Sequence, residues 1–66
     1  MTKYRMSEQN LLVVMNHLPS YGLDVIQVLS GLIEGKVYYT MELSGNIPME
    51  EIAHFNNDFE YLEEIQ

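Results

Sequence analysis

The sequence predicts an α+β fold: a three-stranded antiparallel sheet, one short helix across it, a helix at the N-terminus, and a homodimer. Three observations carry that prediction. Lys36 to Leu43 alternates apolar and polar side chains with a period of two. Ser7 to Leu18 spaces its large apolar residues as a helix would. A chain of 66 residues with no cysteine also has little core of its own. At that length only about 60% of the unfolded surface is buried. Domains this small commonly add disulfides, a metal or a partner chain. Lack of cysteine excludes disulfides and thiolate zinc sites, and His17 and His54 lie too far apart in sequence to suggest a structural metal. Pairing with a second copy remains, within one domain spanning residues 1–66.

Taken in order, Met1 to Met6 reads as a polar leader that frays. Ser7 suits a helix cap and Glu8 suits the first turn. The helix runs through Leu11, Leu12, Met15 and Leu18, and Pro19 to Gly22 ends it. Leu23 to Ser30 is β-branched and bounded by glycines, so it reads as a strand. Its apolar groups on both faces suit a central strand, or an edge buried by a partner subunit. Gly31 to Gly35 is a five-residue hairpin connection with Leu32 and Ile33 at its tip. A dimer or partner contact would explain that exposure.

In Lys36 to Leu43, Val37, Tyr39, Met41 and Leu43 form the core face. Lys36, Tyr38, Thr40 and Glu42 face a surface, with Tyr38 as the large anchor. Ser44 to Asn46 breaks the strand. Pro48 fits the first position of a short helix, and Glu50 and Glu51 suit its positive end. If Met49, Ile52 and Ala53 face the sheet, Phe55 projects outward beside Glu51. Asn56-Asn57 is a left-handed stop. The tail Phe59 to Ile65 reads as a strand with Phe59, Tyr61 and Ile65 inward, because its aromatics favour sheet. Read as a helix, it would group Tyr61, Leu62 and Ile65.

Charge is the informative part of the composition. Residues 1–36 balance Lys3, Arg5 and Lys36 against Glu8, Asp24 and Glu34. Residues 37–66 carry seven carboxylates and no Lys or Arg, which accounts for the whole net charge of −7. Direct binding to nucleic acid is disfavoured, because phosphate contacts need clustered cations. A basic partner would be steered towards the acidic half. The longest apolar run, Leu11 to Met15, is far short of the roughly 20 residues that span a bilayer. With no secretory pattern visible, the expected location is cytoplasmic.

Chemistry has little to stand on, so no enzyme, cofactor or metal is expected. Ser44 and His54 are ten residues apart across a turn, so a hydroxyl activated by a base within hydrogen-bond reach is not expected. Glu50 and Glu51 are adjacent and point about 100° apart on a helix, which does not make a paired-carboxylate site. Glu50 and His54 are spaced for a surface pair rather than a metal site.

The order of a Gly-Lys-x-Tyr-Tyr strand, a glycine turn, a short acidic helix with an aromatic and an Asn turn resembles a known family. It is similar to the small uracil-DNA glycosylase inhibitors of certain Bacillus phages. The matching residues are Gly35, Lys36, Tyr38, Tyr39, Gly45, Glu50, Glu51, Ile52, Phe55 and Asn57, within residues 23–65. The resemblance implies a phage protein that takes over a host function as an acidic homodimer and DNA mimic. Such proteins occupy the glycosylase's DNA-binding groove and lodge an apolar helix residue in the pocket meant for its leucine loop. Carried over, Glu50 and Glu51 stand in for phosphates, and Ile52 or Phe55 is the plug. Glu42 and Tyr38 complete the expected partner-binding set, in the host cytoplasm. The alternative is a small acidic dimeric regulator of another basic DNA- or RNA-acting protein.

Overall fold

The computed structural model describes residues 1–55 and 58–64 of the chain. It is an α+β fold with four strands: β1 (Thr2–Met6), α1 (Glu8–Tyr21), β2 (Val25–Ile33), β3 (Lys36–Leu43), α2 (Met49–Ile52) and β4 (Phe59–Glu64). The sheet order is β2-β3-β1-β4, with every neighbouring pair antiparallel. This is the split βαβ arrangement of ferredoxin-like folds, with the second helix reduced to one turn.

The fourth strand is the segment expected to fray. Thr2, Tyr4 and Met6 are fully buried, while Lys3 and Arg5 alternate onto the opposite face. Strand β1 pairs with β3 on one side, Tyr4 facing Met41, and with β4 on the other, Met6 facing Phe59. Its backbone is therefore hydrogen-bonded along both edges. Two cations in five residues disguise an ordinary alternating strand.

Helix α1 starts where expected. The Ser7 side chain accepts the Asn10 N–H, and Ser7 keeps an extended backbone. The helix does not stop at Pro19 but runs on to Tyr21, where Gly22 at φ 68° donates its N–H to Leu18 O. Pro19 forfeits only the one N–H that would have reached back a turn. The buried face is Asn10, Val14 and Leu18, with Leu11 packed against it; Leu18 and Leu11 keep their expected places, while Leu12 and Met15 stay exposed. Asn10 sets that rotation. Its Nδ2 donates to Asp58 O at 3.0 Å, beside Ser7 N, which donates to the same carbonyl.

The β2–β3 hairpin is tighter than expected. Strand β2 continues through Gly31 to Ile33, leaving only Glu34 and Gly35 as the turn, with φ 52° and 81°. Two positive φ values in a two-residue turn match the twist of the flanking strands. Strand β2 is an edge, not a central strand. In β3, Met41 and Leu43 reach the core, Tyr39 is half-buried, and Val37 lies exposed near the turn.

The core comprises Tyr4, Met6, Val14, Leu18, Met41, Leu43 and Ile47, all on the α1 side of the sheet. Fully burying a side chain of this kind contributes about 1.5–3 kcal/mol. Phe59 takes its expected inward place, tilted against Tyr4 at 5.3 Å and stacked on Phe55 at 4.3 Å. Tyr61 touches Tyr4 edge-on but remains about half exposed. The expected stop at Asn56-Asn57 and the inward place of Ile65 lie outside the described residues.

Candidate functional site

Strand β1 and the chain before α2 build the surface that carries the acidic turn. Thr2 Oγ1 donates to Asn46 Oδ1, and Ile47 N donates to the Tyr4 hydroxyl at 2.9 Å. Ile47 is thereby buried and the following turn is fixed against the sheet. Pro48 caps α2 from just outside it, its carbonyl accepting the N–H groups of Glu51 and Ile52. An open, mainly apolar pocket of about 280 Å³ lies here, lined by Tyr4, Asn46, Ile47, Met49, Ile52 and Tyr61. Met49 is 80% exposed beside it.

The expected binding residues do not form one surface. Glu50, Glu51 and Ile52 share the α2 turn. Phe55 does not project outward: it packs on the core, and its ring stacks on Phe59. The reason is that α2 ends at Ile52, so no third helical turn carries Phe55 into solvent. Glu42 and Tyr38 are on the other face of the sheet, where Glu42 stands opposite Lys3 and Gln27. Met49, placed in the core from sequence, is instead the exposed apolar group of the turn. Its place could not be found without knowing that Tyr4 and Ile47 fill the space beneath.

Folding also reunites charges that the sequence separates. Arg5 pairs with Glu60, and Lys3 lies 3.7 Å from Glu63, because β1 and β4 are neighbours. Among the described residues, Glu42, Glu50 and Glu51 have no ion pair. Burial first, and the Glu51 charge second, push the Tyr21 phenol above its ordinary value. The acidity of the turn is thus felt on α1.

Ser44 Oγ accepts the Asp24 N–H at 2.9 Å, a connection between the β2 and β3 ends. No ion pair joins Glu50 to His54 among the described residues, since the helix ends before the second position. The same residues hold no cluster of three His, Cys, Asp or Glu side chains able to bind a metal ion. No described helix is long and apolar enough to cross a membrane. Compared with family models, curated proteins and solved structures, the chain matches none.

Proposed function

We propose that this chain is a binding module with no chemistry of its own, which occupies the phosphate-binding groove of a basic, DNA-acting protein. Its resemblance points to uracil-DNA glycosylase as that protein, so the module acts as an inhibitor by DNA mimicry. The observation that carries the reading is the α2 turn, where Glu50 and Glu51 stand without cations beside an exposed methionine and an apolar pocket. Carboxylates in that setting steer a basic surface, and the apolar groups supply burial once it docks. Met49 takes the role of plug that the resemblance leaves between Ile52 and Phe55, and Ile52 contributes to the pocket wall.

A uracil-excision reaction with equimolar protein and glycosylase tests the reading. Inhibition is expected, weakening as salt rises because exposed charges are screened. Undiminished cleavage would sink it. Combined Glu50→Gln and Glu51→Gln is expected to slow association, and Met49→Ala to speed dissociation. If both variants inhibit like the parent protein, the turn is not the contact.

The division of acidic residues between two sheet faces favours a second reading, a regulator seated on a smaller basic patch. Its partner would be another DNA- or RNA-acting protein. Full glycosylase activity together with salt-sensitive capture of such a protein through the α2 turn would select it.

A further inference from the structure

Seven apolar side chains are left exposed on one hairpin: Val25, Ile26, Val28, Leu29, Leu32 and Ile33 of β2, with Val37 of β3. They lie on both faces, so α1 cannot cover them all by a small shift. Strand β2 is also an edge, nine residues long, and carries no charged side chain. Natural sheets usually blunt such edges with charges, proline or a bulge, or cover them. Here a bulge lies only near the Val25 end.

We propose that the β2 edge pairs with the β2 edge of a second copy, antiparallel about a two-fold axis near the middle of the strand, giving one continuous eight-stranded sheet. The pairing follows from the hydrogen-bond pattern of the hairpin. A two-residue turn makes Ile33 and Lys36 its closing hydrogen-bonded pair, so alternate residues Val28, Ser30 and Leu32 turn their backbone groups away from β3. Those groups are what a second β2 strand engages, and a strand meeting its own copy about a two-fold is self-complementary.

Charge selects this occupant. Two copies that each carry −7 repel unless they meet where neither is acidic. Strand β2 is free of charge between Asp24 and Glu34, and the α2 turn lies at the other side of the sheet. A standard interface takes roughly 800 Å² from each partner. That is a modest share of the chain's 4489 Å², and the hairpin with its seven exposed apolar side chains is an apolar region able to supply it.

This assembly goes beyond the binding reading and leaves the α2 turn free in each copy, so either can fail without the other. Sedimentation equilibrium at tens of micromolar should give twice the 7.7 kDa chain mass. A single-chain mass at that concentration would overturn the proposal. Leu29→Lys places a like charge at the two-fold, and Ser30→Pro removes an outward N–H without touching the β3 ladder. Each should yield a monomer with unchanged far-ultraviolet circular dichroism. A dimer that survives both would also overturn it. Amide exchange reads the edge in the parent protein: protection at Val28, Ser30 and Leu32 supports pairing, and exchange there at unprotected rates in the dimer refutes it.

Discussion

The two edges of the sheet are built on opposite principles. At the β4 edge, Glu60 and Glu63 face solvent and are matched by Arg5 and Lys3 of the neighbouring strand. The β1–β4 register also shifts between Lys3 and Tyr4, an irregularity that interrupts the ladder. Behind it, Phe55, Phe59 and Tyr4 form an aromatic cluster. Charge and irregularity are the means by which an edge refuses another strand. At the β2 edge there is no charge, and apolar side chains are exposed on both faces. One edge is finished within the chain; the other is left open. The difference teaches that exposure alone does not mark a binding surface here, since both edges are exposed. What distinguishes them is whether their side chains are charged and already answered by partners within the chain.

The largest way to break the comparison is to empty the finished side. Met6 is fully buried, with Tyr39 opposite it on one neighbouring strand and Phe59 on the other. Met6→Ala should cost about 2–5 kcal/mol through lost burial and a residual cavity. In a domain this small that is a large part of the total stability, and urea unfolding followed by circular dichroism reads it. An unfolding midpoint unchanged from the parent would mean that the N-terminal strand contributes little. That would restore the frayed leader that the sequence suggests.

That leader shows what the sequence does and does not make legible. The strand β3 is readable because both its alternation and its turn signals are local. The Ser7 cap and the Phe59 strand are readable for the same reason. Thr2 to Met6 has the same alternation, but only contacts with residues about 40 and 60 positions away turn it into a central strand. The α2 site suffers in turn, since its pocket is lined by Tyr4 and its lead-in is fixed by the Tyr4 hydroxyl. Phe55 was misplaced by projecting a helix past Ile52, where packing on Phe59 takes over. The acidic half was legible as composition. Its partial neutralisation was not, because Arg5 meets Glu60 only across the sheet.

A smaller effect sharpens the same contrast. Arg5→Ala removes the cation from Glu60, but both side chains are partly exposed, at 35% and 56%. Surface pairs of this kind contribute about 0.2–1 kcal/mol, so the fold should survive with a slightly lower unfolding midpoint. What the change should alter more is the edge itself. With Glu60 unanswered, the net charge goes from −7 to −8 and the sheet face opposite the α2 turn gains an unpaired carboxylate, so association with a basic partner should become faster and more salt-dependent. Stopped-flow mixing at two ionic strengths measures this. An association rate equal to the parent's at low salt would show that β4 lies outside the docking path.

The smallest effect concerns α1, where it meets the acidic turn. The Tyr21 phenol titrates above its ordinary value, first because burial disfavours the phenolate and second because Glu51 repels it. The folded state therefore holds this proton more tightly than the unfolded state, whose tyrosine titrates at about 10. Stability from this group is fully present below that value and is lost as pH rises through the folded one, since the unfolded chain releases the proton first. Urea midpoints measured from pH 8 to 11 should stay level and then fall above about 10. Tyr21→Phe should remove that residue's share of the fall, and Glu51→Gln a smaller part, in keeping with the order of the two causes. An alkaline fall identical in Tyr21→Phe would mean that the phenol is as well solvated in the folded chain as in the unfolded one. The α2 turn would then stand clear of α1, and its carboxylates would be held by the Tyr4–Ile47 attachment alone.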